Sequence, residues 1–211
     1  ALLPQVRALR VNVQDEPVAT STSPRFVVTE PQMEAVVQVW LDTAYPPARA
    51  AIEAVLAGGR DAAAARLEGW LVCESVPLPN TAHPSRLGER TEGFSQMVFF
   101  ERPADMSFDT WRSNWHNDHT AVALETQSTF EYVQNLVVRP LTEGAADFAA
   151  IVEECFPLGA LGDEGIFYDA AGDPARLRVN QDRMMASCAR FIGAAGCDCI
   201  PTSQYELKRG F

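Results

Sequence analysis

Short apolar runs, separated by Gly-, Pro- and Asp-rich breaks, alternate along this chain with two longer amphipathic stretches. Residues 95–101 (SQMVFFE) are apolar and aromatic and predict a strand. Ser107 then supplies an N-cap hydroxyl ahead of a run in which Phe108, Trp111, Trp115, His119 and Val122 recur at intervals of three or four, which makes one helical face. Residues 129–139 (TFEYVQNLVVR) are rich in aromatic and β-branched types and predict a second strand. Residues 147–156 (DFAAIVEECF) predict a third, stopped by Pro157. After a Gly- and Asp-rich loop, Asp173 and Pro174 place an N-cap before a proline at the first helical position, and this helix is expected to run to about Gly193. Residues 198–207 (DCIPTSQYEL) predict a last strand.

The order is β-α-β-β-α-β, the split βαβ arrangement of ferredoxin-like folds. The first half of the chain gives part of the same order. Residues 6–13 and 34–41 read as strands, residues 46–56 as a helix that stops at Gly58-Gly59, and residues 66–75 as a strand. Residues 34–41 (EAVVQVWL) match residues 149–156 (AAIVEECF) in pattern and position. The first half is therefore β-β-α-β, the same unit without its first strand and helix. The alternative is that short apolar strands resemble one another by accident. The expected class is α+β, with tandem ferredoxin-like repeats over residues 1–76 and 95–211. A Pro- and Gly-bearing linker over residues 77–94 holds His83, Glu89 and Arg90 and is long enough to cover an opening. An incomplete first repeat implies some ~40 further residues before Ala1, or another chain or segment in place of the missing strand, because an open sheet edge invites pairing.

Composition narrows the classes of partner. Of 211 residues, 47% are apolar and 21% charged, which is ordinary for a globular chain. The net charge is −11 without a basic cluster, so nucleic acid and anionic membranes are not expected as partners. No apolar run approaches the ~18 residues of a membrane span, and residues 1–10 (ALLPQVRALR) lack the layout of a secretory signal. Five cysteines, Cys73, Cys155, Cys188, Cys197 and Cys199, form no C-x-x-C pair. They read as free thiols in a reducing, cytoplasmic setting, with Cys197 and Cys199 on one side of a strand.

The stretch 111–123 (WRSNWHNDHTAVA) resembles the first helix of EthD-domain proteins, with Trp115 and His119 on the family's Trp and His. Tyr132-Val133-Gln134-Asn135 resembles that family's second strand, and residues 149–156 its third. The likeness covers residues 95–207 well and the first half loosely, where no His-bearing helix occurs. It implies the dimeric α/β-barrel architecture, here within one chain, with a homodimer left open. Each unit of that architecture keeps a pocket between its sheet and its helices. The group includes cofactor-free monooxygenases, polyketide cyclases, lactone isomerases, dehydratases and haem enzymes, so the fold alone does not select a reaction.

The residues suggest chemistry of their own. His119 titrates near neutrality and would serve as general acid or base in such a pocket, or else sit in the core bonded to a strand carbonyl. Tyr132 would stabilise an enolate oxygen, or pack as a core aromatic. Gln134 shares its face and Asn135 points the other way; either would help hold the developing oxyanion, and His116 beside His119 would contact the substrate. Glu154 would orient His119 if it lies nearby. Trp115, Phe130 and Phe156 would wall the site for an apolar or aromatic ligand. His116 and His119, three apart, are a weak metal motif without a third ligand, and no metal is expected. Asp118 is expected to face solvent. The chain has no G-x-G-x-x-G after a strand, no P-loop and no G-x-S-x-G. No bound organic cofactor is expected, and nothing specific supports haem on His119. The resulting expectation is a cofactor-independent lyase, isomerase, dehydratase or cyclase acting on a small apolar or aromatic compound. The alternative is a non-catalytic binding or accessory protein of a degradation pathway.

Overall fold

A computed structural model describes residues 4–19, 26–58, 66–194 and 196–210. Its strands are β1 (Val6–Val13), β2 (Ala35–Leu41), β3 (Trp70–Leu78), β4 (Phe94–Phe100), β5 (Glu131–Pro140), β6 (Ala150–Phe156) and β7 (Cys197–Lys208). They form one sheet in the order β2-β1-β7-β4-β6-β5-β3, with every pairing antiparallel. The protein is thus a mixed α+β fold on a curled, seven-stranded half-barrel. The strands of the first half do not stand apart: β1 pairs with β7 and β3 with β5, so they flank the four strands of the second half on both sides.

The helices are α1 (Glu16–Ala19), α2 (Pro46–Gly58), α3 (Phe108–Arg112), α4 (Thr120–Thr126), α5 (Glu164–Phe167) and α6 (Pro174–Cys188). A π-helical turn, Ser113–His119, joins α3 to α4. Ser107 caps α3 as its sequence implies, accepting from Thr110 N at 3.2 Å. Trp111, Trp115, His119, Ala123 and Thr126 are the buried positions of this composite helix. Phe108 departs from the expected face: it is largely exposed and touches only the edge of that packing, 5.8 Å from the Trp111 ring. Asp173 caps α6 through Ala175 N and Arg176 N at 3.1 and 3.0 Å. The helix ends at Cys188, short of Gly193, because the chain turns there and buries Phe191 against Phe100 at 5.3 Å. Likewise β6 begins at Ala150 and not at 147, since Phe148 leaves the strand to pack on Trp70 and Phe99.

All of β6 is buried, and its alternation defines two faces. Val152, Glu154 and Phe156 face the helices; Ile151, Glu153 and Cys155 face the concave side. The helix face carries Phe100, Trp111, Trp115, Tyr132, Val152 and Phe191 as one cluster, and Phe94, Phe156, Val18 and Ala160 as another. The concave face is divided. One half is apolar, built from Met97, Phe99, Phe148, Ile151 and Ile200 with Val36, Trp70 and Val72. The other half is polar and centres on Glu153, which is fully buried. Its carboxylate accepts from Arg10 Nη1 (2.9 Å), Asn12 Nδ2 (2.7 Å), Gln38 Nε2 (2.8 Å), Ser95 Oγ (2.9 Å) and Gln204 Nε2 (2.8 Å). These donors come from β1, β2, β4 and β7, so one side chain draws most of the sheet into its curl. Among the described residues no helix is long and apolar enough to cross a membrane.

Removing one partner from a buried ionic cluster leaves the others charged and unpaired, which costs about 3–5 kcal/mol. Glu153→Ala is therefore expected to lose about that much stability in urea denaturation. Glu153→Gln is expected to lose less, because its amide oxygen still accepts from the surrounding donors while Arg10 keeps Glu131 and Glu206 as partners.

Candidate functional site

The helix face of β5 and β6 brings several sequence-marked residues together. Tyr132 lies opposite Glu154 in the strand register, and both point toward the helices. Gln134 Nε2 donates to Thr120 Oγ1 at 2.8 Å and to Tyr132 Oη at 3.3 Å, tying the strand to α4. Trp115 is sealed in the same cluster as Tyr132. His119 is 7% exposed, shares a hydrogen bond through Nδ1 with Ser187 Oγ of α6 at 3.0 Å, and lies 4.5 Å from the Phe191 ring. Ser187, and not Glu154, orients the ring.

The electrostatics of this layer follow from its dryness. Burial pushes His119 down to about 4, so the imidazole is neutral at ordinary pH. Burial raises the Tyr132 hydroxyl, and the nearby Glu154 adds to the effect. Glu154 is 6% exposed and accepts no hydrogen bond from any described residue. Burial alone moves its carboxyl up to about 8. The fully buried unpartnered atoms of this layer are instead Trp115 Nε1 and His116 Nε2. Cys188 of α6 and Cys199 of β7 also feel its charge, and burial raises both thiols. His119, Glu154, Ser187, Met184 and Cys199 each keep some exposure, whereas Trp111 and Trp115 keep none. The layer under α6 is thus less tightly sealed than the layer under α3.

The remaining marked residues lie elsewhere. Phe156 belongs to the cluster around Phe94 and Ala160 and stacks on Phe167 at 4.5 Å. Phe130 sits against His83 of the linker, ring centroids 4.4 Å apart, and does not join the Trp115 cluster. Asn135 is buried on the concave side, in register with Glu74 and Ile151. His116 is half-buried with its ring 4.4 Å from Trp115, and burial and Arg112 lower its pKa. Asp118 is exposed and paired with Arg190 at 2.7 Å. All five cysteines are free, Cys73 on the surface. No group of three or more His, Cys, Asp or Glu side chains is placed to hold a metal among the described residues.

A second site, unmarked in the sequence, opens on the concave side. A cleft of about 320 Å³ is lined by Arg10, Trp40, Glu74, Glu131, Gln204 and Glu206 among others. Arg10 bridges Glu131 and Glu206 at 3.1 and 3.2 Å besides Glu153. Burial favours neutral Arg10, but these carboxylates outweigh it and raise its pKa. Burial likewise pushes Glu153 up, and Arg10 with the amide donors pulls it below its ordinary value. Burial raises Glu74, whose carboxylate takes a bond from Trp40 Nε1 at 3.3 Å. His119 and Glu154 line neither this cleft nor the one of about 250 Å³ beside Phe108 and Trp70. The available sequence signal was the alternation of Arg10 and Asn12 with Val11 and Val13 in β1. That pattern ordinarily marks a solvent face, and here it lines an interior.

Against family models, curated proteins and solved structures, the chain finds no match in any of the three comparisons.

Glu154 has a folded pKa of about 8 against an ordinary 4.5. Its burial is harmless below pH 4.5 and destabilises progressively as pH rises from 4.5 to 8. Urea denaturation is expected to show Glu154→Gln gaining on the parent by about 3 kcal/mol between pH 4 and pH 7. His119 runs the other way: its value falls from 6.5 to about 4, so the stability it contributes is present above pH 6.5 and lost toward pH 4. His119→Asn is expected to flatten that acid limb by about 3 kcal/mol in the same measurement.

Proposed function

We propose that this protein is a cofactor-independent small-molecule enzyme of the isomerase or lyase kind, working by proton transfer between the sheet and its helices. The observation that carries the reading is Glu154, a carboxyl opposite Tyr132 on the helix face that is 6% exposed, raised by burial to about 8, and hydrogen-bonded by no described residue. Neutral carboxyls in apolar surroundings are suited to donating a proton to a developing oxyanion at neutral pH. In this reading a small apolar or aromatic carbonyl compound enters beneath α6. The Glu154 O–H passes its proton to the carbonyl oxygen, with Tyr132 Oη as a second donor. The ring nitrogen of His119 not engaged with Ser187 accepts the proton leaving the adjacent carbon. Phe191, 4.5 Å from the His119 ring, forms the apolar wall.

The fold supports this assignment by its order. Strands β7-β4-β6-β5, with α3–α4 after β4 and α6 after β6, follow the split βαβ plan. We read the second half as a ferredoxin-like unit resembling EthD domains. The first half is the same unit lacking its first strand and helix, and the half-barrel is an intrachain dimeric α/β-barrel short of one strand. The cleft between Arg10, Trp40 and Glu74 favours a second reading, a binding protein that uses a preformed polar hollow.

Deuterium uptake at the α-carbon of aryl ketones in D2O, followed by proton NMR, reports proton abstraction without requiring the natural product. The protein is expected to accelerate uptake, with activity falling above about pH 8 as Glu154 ionises. Glu154→Gln is expected to lower the rate by about 100-fold or more. Equal rates in parent and variant, or no acceleration of any ketone, would remove the enzymatic reading. Ligand binding that survives Glu154→Gln without turnover would favour the binding protein.

A further inference from the structure

We propose that the gap between β2 and β3 is a strand-accepting site, taking one extended segment of a partner polypeptide that runs antiparallel to both edges. The first support is parity. Neighbours in an all-antiparallel sheet alternate in direction, so seven strands leave the two edges, β2 and β3, pointing the same way. They cannot close on each other antiparallel, and one strand of opposite direction satisfies both edges and completes an eight-stranded barrel. Among the described residues no strand pairs with the outer edge of either. The edges nonetheless face each other across a narrow space. Trp40 Nε1 of β2 donates to Glu74 Oε1 of β3 at 3.3 Å, and the Arg10 guanidinium lies 6.0 Å from the Trp40 ring. Unpaired edges held open in this way are templates for an added strand.

The walls of the gap also specify the guest. Toward the ends of β2 and β3 its inner side is charged, with the three carboxylates Glu74, Glu131 and Glu206 outnumbering the two guanidinium groups Arg10 and Arg209 that pair with Glu131 and Glu206. Toward their beginnings it is apolar, with Val36, Trp70 and Val72 in the concave core. A guest running opposite to these strands meets the charged end, where carboxylates are in excess, first. Its inward positions should therefore read basic or polar, then apolar, then apolar. Among the described strands, β4 has that direction and pattern. Ser95 of β4 donates to Glu153, and Met97 and Phe99 enter the apolar cluster. On the outer side Val37 of β2 stays 38% exposed beside Val11 and Val39, an apolar edge that a further strand would extend. The inference rests on sheet topology alone, so it and the proton-transfer reading can fail separately.

The test uses a synthetic peptide of residues 95–101 (SQMVFFE) preceded by two lysines, with a scrambled peptide as control. Amide hydrogen exchange is followed by NMR across β2 and β3. The matched peptide is expected to slow exchange at least tenfold on both edges and to perturb Trp40 fluorescence, and the scrambled one to do neither. To cover weak affinity, the same segment is fused ahead of Ala1 through a Gly/Ser spacer of about fifteen residues, which raises its effective concentration. Unchanged exchange at both edges with peptide and fusion alike overturns the proposal. So does slowing without peptide that grows with protein concentration, which would mean that a second copy of the chain pairs along the edge.

Discussion

The architecture turns on one carboxylate. Glu153 lies at the middle of a strand buried on both sides and takes five hydrogen bonds from four other strands. Its charge is tolerable only because Arg10 stands 2.9 Å away and amide and hydroxyl donors occupy its remaining lone pairs. Since those donors lie on β1 and β2 as well as on the central strands, satisfying them obliges the sheet to curl. A flat sheet would leave Gln38 and Arg10 out of reach. The apolar half of the concave face then fills with Met97, Phe99, Phe148 and Ile200, and the two halves together fix which side of each strand is inside.

That decision sets the chemistry of the other face. Glu153 and Glu154 are adjacent, so they point in opposite directions. One is held ionised in a dense set of donors; the other lies opposite Tyr132 and near Cys188 of α6 with no donor among the described residues. The same residue type thus acquires opposite protonation from environment alone, the arrangement by which proteins separate acid from base roles. His119 experiences the same dryness and is kept neutral, with Ser187 fixing its ring. The carboxyl is therefore better matched to neutral pH than the imidazole, which reverses the ranking that residue type alone suggests.

Periodicity made much of the fold legible. The alternating strands, the Ser107 and Asp173 caps and the Trp111-Trp115-His119 face all appear near where the sequence places them, because each depends on local geometry. Less legible were features set by distant parts of the chain. β3 runs on to Leu78 because β5 offers a partner there, and Phe130 leaves the Trp115 neighbourhood because His83 of the linker takes it up. The Arg10, Gln38 and Glu153 cluster stayed hidden because polar residues alternating in a strand look like a wet face until the sheet curls. Glu154 could be singled out as a carboxylate in an apolar strand, but its burial to 6% exposure is a property of the assembled layers.

A carbon-13 NMR titration of the glutamate side-chain carboxyls, assigned with Glu153→Gln and Glu154→Gln, measures this division directly. The account requires one resonance, absent from Glu154→Gln, to titrate near pH 8, and the Glu153 resonance to titrate below its ordinary 4.5. If both carboxyls titrate together in the ordinary range between pH 4 and 5, the two faces are not electrostatically distinct and the account is wrong.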